Sequence, residues 1–243
     1  MTRPVALVTG GGRGIGAAIS DRLAADGYDV LLTYNTSSKP AEMLVDAIRE
    51  RGDDALAVKV DCANQGEVGL LGIHPWMARG IDVLILNHGI YRRVQSHVMT
   101  MEDLNQTMKT NFEGAVAVWK AVQAHLTDHA RMVVVSSQLS IKGSPHGADY
   151  SASKAALSAW ARSLAQSVGP EGKRVNILAP GYVDTDILAG DSPEKRQQRN
   201  NEVPLQRVGT PEDMASTVSF LVGSDSSYIT GAILHVNGGL YLP

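Results

Sequence analysis

The sequence has little cysteine, few aromatic residues and no long apolar run. Among its 243 residues there is one cysteine, Cys62, and aromatic residues make up 5%. A single cysteine excludes a disulfide within the chain and is typical of a reducing compartment. The first apolar run, Val5–Val8, is too short for a signal peptide, and no run reaches the roughly 20 residues of a membrane span. We therefore expect a cytoplasmic protein that does not enter a membrane.

The chain also lacks an excess of positive charge. Its 22 Lys and Arg residues against 25 Asp and Glu residues give a net charge of −3, which excludes the basic field that nucleic-acid binding needs. His125 and His129 are four residues apart, but no glutamate of a metalloprotease motif accompanies them. We interpret this pair as the surface end of a helix and expect no metal site. The expected partner is a small molecule.

Aliphatic runs alternate with amphipathic segments of helical length along the whole chain. The runs are nearly continuous in apolar character, as strands covered on both faces are. Strands separated by helices indicate parallel βαβ units. We predict an α/β protein in which residues 1–243 form a single-domain, doubly wound (Rossmann) fold with a seven-stranded parallel sheet. The predicted strands are Val5–Val8, Val30–Leu32, Leu56–Val60, Val83–Leu86, Met132–Val135, Val175–Leu178 and Ile233–Val236. The predicted helices are Ile15–Ala25, Ala41–Arg51, Met101–Leu126, Tyr150–Ser167 and Pro211–Leu221.

One polar segment, Asp184–Val203, interrupts this alternation just after a predicted strand. It is either a solvated insertion or a lid over a ligand site. Ligands in open α/β sheets bind outside the carboxyl ends of the strands, which favours the lid.

A glycine-rich loop follows the first predicted strand and opens the first helix. Glycines allow the backbone to approach a pyrophosphate, and the helix N-terminus supplies N–H groups and a positive dipole end. A tight strand–helix turn is the simpler alternative, but the position in the chain favours a dinucleotide. The loop residues expected to bind the cofactor are Gly10, Gly12, Arg13, Gly14, Ile15 and Gly16.

The end of the second strand indicates which dinucleotide binds. Enzymes that use NAD place an acid about 20 residues after the loop, on the ribose. Here Asn35, Thr36 and Ser37 follow the strand with no acid among them. Hydroxyls and amides accept a 2′-phosphate, and Arg13 and Lys39 supply positive charge nearby. We predict NADP(H).

Catalytic chemistry is indicated by a tyrosine and a lysine four residues apart. Tyr150 and Lys154 share one face of the predicted helix, and a nearby cation favours the phenolate. Ser137, at the end of strand five, is placed to hydrogen-bond a substrate oxygen. Asn111 lies in an apolar helical segment, where it is either a satisfied core amide or the holder of a water near Lys154.

These motifs, in this order, resemble the short-chain dehydrogenase/reductase family, from Val5 to Leu242. The resemblance implies a catalytic tetrad of Asn111, Ser137, Tyr150 and Lys154. It also implies cofactor contacts beyond the glycine loop and ribose pocket. These are Asp61 and Cys62 beside the adenine, Val183 and Thr185 at the carboxamide, and Asn87, His88, Gly89, Tyr150, Lys154, Pro180 and Gly181.

Within that family the chain is most similar to the bacterial 3-oxoacyl-ACP reductases. Their tetrameric state implies a homotetramer packed through the helix at Tyr150–Ser167. Two departures affect the substrate. The family's Asn-Asn-Ala-Gly is Leu86-Asn87-His88-Gly89 here, which brings a titratable side chain near the cofactor. Asp128 and Glu171 stand where those reductases carry basic residues that dock an acidic carrier protein.

The substrate pocket is expected to include Ser137, Leu139, His146 and Tyr182, with the glycine-bounded loop 143–147 shaping its mouth. Trp76, Trp119 and Trp160 are expected in packing. The favoured function is NADPH-dependent reduction of a ketone, foremost a 3-oxoacyl group carried on ACP or CoA. The alternatives are an alcohol, sugar or steroid-type dehydrogenase, and an NADP-binding sensor without catalysis.

Overall fold

The computed structural model describes residues 3–186 and 188–243, and within them seven strands form one parallel sheet. The predicted fold class is therefore confirmed. The strand order is β3-β2-β1-β4-β5-β6-β7, so the winding reverses between β1 and β4. The loops after these two strands diverge and leave a crevice at the carboxyl edge of the sheet. The strands are β1 Val5–Thr9, β2 Asp29–Tyr34, β3 Ala55–Lys59, β4 Ile81–Leu86, β5 Leu126–Val135, β6 Arg174–Pro180 and β7 Ile233–Val236.

Helices cover both faces of the sheet, which explains the continuous apolar character of the strands. Buried residues of α1, α2 and α9 pack on one face, and those of α3, α5 and α7 on the other. Among residues 3–186 and 188–243, no helix is long and apolar enough to cross a membrane. The helices are α1 Gly14–Ala25, α2 Ser38–Glu50, α3 Gln65–Gly72, α4 Met101–Met108, α5 Gly114–Val122, α6 Leu139–Lys142, α7 Ala148–Val168, α8 Pro193–Glu202 and α9 Pro211–Val222.

The three tryptophans pack as expected. The rings of Trp119 and Trp160 meet edge to face with centroids 6.1 Å apart. Both rings and Trp76 lie against the core on the α5 and α7 side of the sheet.

The predicted helix Met101–Leu126 is wrong in its continuity and in its end. A π-helical turn at Lys109–Glu113 separates α4 from α5. The chain then leaves the helix after a short 3-10 turn, and Leu126 already pairs with Ile81 as the first residue of β5. His129 consequently lies in β5 and not at a helix end, because pairing with the neighbouring strand outweighs the local helical pattern.

Candidate active site

The glycine loop has the backbone shape that a pyrophosphate requires. Gly10 and Gly14 have φ values of +61° and +52°, in the left-handed region that favours glycine. A Cβ on Gly16 would lie 2.1 Å from the Gly10 carbonyl oxygen, so the loop folds directly onto the start of α1. The first turn of α1 has no acidic residue, and the first N–H groups of a helix have no acceptor within it. These residues fit a dinucleotide phosphate.

Arg13 connects this loop to the segment after β6. Its guanidinium lies 2.9 Å from the Asp186 carboxylate, and both side chains are exposed. Gly14 lies close to Thr185 on the same segment. The loop and the start of the predicted lid therefore face each other across the crevice.

The structure brings the predicted ribose and adenine residues to the same edge of the sheet. Asn35 and Thr36 are exposed just after β2, and Ser37 is half-buried. One Asp61 carboxylate oxygen accepts the backbone N–H of Ala63 at 2.9 Å. Cys62 is buried, and this burial raises the pKa of its thiol to about 12, which leaves it protonated and unreactive.

The residues after β4 form hydrogen bonds with the end of β1 and the start of the glycine loop. The Asn87 amide donates to the carbonyl oxygens of Thr9 and Gly10 at 3.2 and 3.1 Å. His88 Nδ1 lies 2.7 Å from the Thr9 hydroxyl. Desolvation of the imidazole, together with the nearby Lys154 charge, lowers the pKa of His88 to about 3. The titratable side chain is thus neutral near pH 7 and turned toward the protein.

Lys154 and Tyr150 lie on one face of α7, as predicted, with Lys154 Nζ 5.8 Å from the Tyr150 ring centroid. Burial lowers the pKa of Lys154 to about 8, and its ammonium donates to the Val135 carbonyl at 2.8 Å. Burial also raises the pKa of Tyr150 to about 12, although a hydrogen bond with Ser137 acts in the opposite direction. Desolvation outweighs this hydrogen bond, so the pKa is raised and not lowered as the sequence predicted. Tyr150 is therefore a protonated phenol at neutral pH.

Asn111 is presented by the π-helical turn, and its amide is fully bonded. Its Oδ1 accepts the Ile90 N–H at 2.7 Å, while its Nδ2 donates to the Ile90 carbonyl and to the Ser153 hydroxyl, both at 3.0 Å. Both amide hydrogens are used within the protein. The amide is therefore satisfied within the protein, and the holding of a water near Lys154 stays a prediction.

Glycine at position 89 allows Asn111 and Lys154 to approach each other. A Cβ there would lie 3.1 Å from Asn111 Oδ1 and 3.4 Å from Lys154 Nζ. Ser137 is buried just beyond β5, where its Oγ accepts the Leu139 N–H at 3.2 Å. The four residues of the predicted tetrad thus come together in one cluster at the carboxyl edge of the sheet.

The predicted pocket residues differ in their surroundings. Leu139 is half-buried and His146 is exposed. The Tyr182 hydroxyl donates to Glu202 at 3.0 Å, and the Arg199 guanidinium lies 4.5 Å from the Tyr182 ring centroid. Tyr182 therefore contacts α8, and its contact with a substrate stays a prediction.

Sequence reasoning missed Tyr91, whose ring centroid lies 4.7 Å from that of Tyr150. It stands in the run Ile90-Tyr91-Arg92-Arg93, which matches no motif. Its position two residues after Gly89, a predicted cofactor contact, was the one feature of the sequence that could have placed it near the site.

The predicted lid, Asp184–Val203, contains α8 and is docked on the protein; its residue Ile187 lies outside the described residues. Arg199 forms an ion pair with Asp191, and Arg93 from the loop after β4 lies 3.7 Å from the same carboxylate. Two apolar side chains of the segment itself, Leu188 and Val203, are buried. Its function as a lid stays a prediction.

Comparison with known proteins identifies the family. The family model described as "Enoyl-(Acyl carrier protein) reductase", a short-chain dehydrogenase model, matches residues 10–241. The chain is 35% identical over 240 residues to the 3-oxoacyl-[acyl-carrier-protein] reductase FabG of Staphylococcus aureus strain Mu50, covering 98% of both chains. The chain belongs to the short-chain dehydrogenase/reductase family. As a short-chain dehydrogenase/reductase it is an oxidoreductase.

Solved structures of similar proteins have the same architecture. A short chain dehydrogenase from Burkholderia cenocepacia J2315, in complex with NADP, is 37% identical with a TM-score of 0.91, and the match covers 98% of this chain and 97% of that one. A blue fluorescent protein from a metagenomic library, in complex with NADPH, is 35% identical with a TM-score of 0.92 and covers 98% of both chains.

Proposed function

We propose that this protein reduces a ketone, foremost the 3-oxo group of an acyl thioester, with NADPH. The observation that carries the proposal is the placement of the Tyr150 phenol beside Ser137 and Lys154 at the carboxyl edge of the sheet. A protonated phenol is the form that donates a proton to a carbonyl oxygen.

The cofactor is NADP(H), which supplies the hydride when bound. The glycine loop fits its pyrophosphate, and Asn35, Thr36 and Ser37 provide a ribose pocket without a carboxylate. Asp61 and Cys62 would lie at the adenine. Asn87 to Gly89 and the segment from Pro180 to Thr185 would lie along the nicotinamide half.

The protein's own residues then handle the proton and the developing charge. With the hydride that bound NADPH would supply to the carbonyl carbon, Tyr150 would donate its phenolic proton to the carbonyl oxygen, and the ketone would become a secondary alcohol. Ser137 hydrogen-bonds the same oxygen as negative charge develops on it. The Lys154 ammonium, charged below its pKa of about 8, stabilises the phenolate that remains. Asn111 keeps the π turn and the strand-four loop together around these groups.

The thioester substrate is supported by the likeness to the Staphylococcus aureus reductase over nearly the whole chain. Docking of an acidic carrier protein has less support, because Asp128 and Glu171 are both exposed acids. Lys173 lies 2.5 Å from the Glu171 carboxylate and neutralises it. Asp128 still opposes an acidic carrier, so a CoA thioester suits the chain at least as well as an ACP thioester does.

A homotetramer packed through α7 is part of the proposal. Ala152, Ala159, Arg162 and Ser163 are exposed along this helix, so α7 has a surface available for a second copy. Sedimentation equilibrium of the purified protein tests the assembly, and a monomer would contradict it.

The first experiment follows NADPH oxidation by absorbance with acetoacetyl-CoA as the ketone. Turnover that is lost in Tyr150→Phe supports the proposal. NADPH binding without turnover of acetoacetyl-CoA, simple ketones or cyclic ketones contradicts it and favours the non-catalytic sensor. Oxidation of alcohols or sugars with NADP⁺, faster than any reduction, favours the dehydrogenase alternative.

A further inference from the structure

The backbone next to Tyr91 is fixed by the tetrad itself. Asn111 bonds both the N–H and the carbonyl oxygen of Ile90, at 2.7 and 3.0 Å. The following residue therefore leaves the tetrad in a set direction. Its ring reaches Tyr150 at a centroid distance of 4.7 Å, with the two ring planes tilted by 52°.

The side chain of Tyr91 is fixed as firmly as its backbone. Its hydroxyl donates to the His146 carbonyl at 3.1 Å. Its Cε2 atom lies 2.6 Å from where a Cβ on Gly147 would stand, so a residue other than glycine at 147 would displace the ring. Gly147 immediately precedes α7, which carries Tyr150.

Further hydrogen bonds join the two loops on which these residues lie. The Ser96 N–H donates to the Pro145 carbonyl at 2.9 Å, and the Ser96 hydroxyl donates to the Ser144 carbonyl at 3.0 Å. The loop after β4 and the loop 143–147 thus form one wall beside Tyr150. Tyr91 is only half-buried in this wall, so part of its aromatic surface stays accessible next to the reacting group.

We propose that Tyr91 is a specificity-determining residue that packs against the group attached to the substrate's carbonyl carbon. The inference rests on the proposed function. It deepens that function by naming 3-oxoacyl thioesters whose ketone carries a flat aromatic or conjugated group as the preferred substrates. A ring already held by a hydrogen bond and a close neighbour loses less conformational entropy on binding than a free side chain does. An aromatic partner gains a tilted or offset ring contact that a methyl group cannot make.

The test compares benzoylacetyl-CoA with acetoacetyl-CoA, which differ only in a phenyl or methyl group on the same ketone carbon. The measured quantity is the ratio of kcat/KM for the phenyl substrate to that for the methyl substrate. We expect Tyr91→Ala to lower this ratio by about 3- to 10-fold and Tyr91→Phe to change it by less than about 2-fold, because the ring is kept. Tyr228→Ala, at a fully exposed tyrosine, is the control. An unchanged ratio in Tyr91→Ala, including an equal loss of kcat/KM on both substrates, would overturn the inference.

Gly147→Ala provides a second test that leaves Tyr91 in the chain. The φ of Gly147, 164°, lies outside the left-handed region, so the main effect of the methyl group is to displace the Tyr91 ring. We expect this variant to lower the same ratio, and to lower it no further when Tyr91 is already alanine. If the effects of Gly147→Ala and Tyr91→Ala on the ratio add in the double variant, the inference about Tyr91 is overturned and the proposed function is not. Absence of turnover on both thioesters by the unmodified protein would instead overturn the proposed function, and with it the role of Tyr91.

Discussion

His88 Nδ1 lies 2.7 Å from the hydroxyl of Thr9, so the second residue after β4 is bonded to the last residue of β1. These are the two strands between which the winding of the sheet reverses. The same Thr9 hydroxyl oxygen accepts the backbone N–H of Asn87 at 3.0 Å. The imidazole thus occupies, with a neutral ring, a position that is alanine in the family motif.

This neutral imidazole is expected to make the protein sensitive to acid. Its pKa is about 3 in the folded protein and 6.5 ordinarily, so the unfolded chain binds a proton below pH 6.5 that the folded chain does not. The stability contribution is complete above pH 6.5 and is lost as the pH falls toward 3. Between pH 7 and pH 4 the protein should lose about 3 kcal/mol more unfolding free energy than His88→Ala does.

Urea unfolding of both proteins at the two pH values measures this difference. His146→Ala, which removes an exposed histidine, is the control and should keep the parent's pH dependence. Parallel pH profiles for the parent and His88→Ala would show that His88 titrates normally.

Loss of the Tyr150 hydroxyl should remove turnover and spare cofactor binding. We expect Tyr150→Phe to reduce kcat by about 10²- to 10⁴-fold, the usual contribution of a positioned acid. NADPH affinity, followed by fluorescence titration, should change little because the glycine loop is untouched. Tyr228→Phe is the matched control on an exposed tyrosine. Substantial turnover by Tyr150→Phe would exclude it as the proton donor.

The rate of ketone reduction should depend on the charge of Lys154. Burial lowers its pKa from 10.5 to about 8, so the ammonium is charged below pH 8 and neutral above it. Tyr150, with its pKa raised to about 12, stays protonated throughout. We expect kcat/KM to be level up to about pH 8 and to fall about tenfold per pH unit above it. In Lys154→Met, kcat/KM should be lower at every pH and should show no inflection near pH 8. An inflection that persists in this variant would belong to a group other than Lys154.

A carboxylate at position 36 should disfavour the 2′-phosphate of NADPH. We expect Thr36→Asp to shift the preference from NADPH toward NADH by about tenfold or more in kcat/KM, through like-charge repulsion. Thr36→Asn introduces a side chain of the same size as aspartate but without its charge. This variant should leave the preference for NADPH almost unchanged. Equal behaviour of the two variants would place the ribose pocket elsewhere.

The ion pair between Arg199 and Asp191 should hold α8 in place. The two side chains are 9% and 5% exposed, whereas those of the pair between Arg196 and Asp184 are about half exposed. We expect Asp191→Asn to lower the local unfolding free energy of Pro193–Glu202 by roughly 2 kcal/mol, measured by hydrogen exchange. Asp184→Asn should cost less than about 1 kcal/mol. Equal protection in both variants would mean that apolar contacts alone dock the segment.

Periodicity predicted the strands well because each one is apolar on both faces, and the sheet and its helices confirmed that reading. It failed at Met101–Leu126, where the π turn and the early start of β5 have no local signal. The polar segment at Pro193–Glu202 was expected without a helix. It forms α8, which the hydroxyl of Ser192 caps at its N-terminus and Arg199 anchors.

The sequence by itself determined the Rossmann fold, the glycine loop and the pairing of Tyr150 with Lys154, because each depends on residue types at short, fixed spacings. Only the tertiary structure decided the raised pKa of Tyr150, the neutral His88 and the place of Tyr91. These depend on desolvation and on contacts between segments far apart in the chain, such as Tyr91 with Gly147 and His88 with Thr9. Burial, nearby charges and hydrogen bonds set the pKa of a group, and these follow from the packing of the chain.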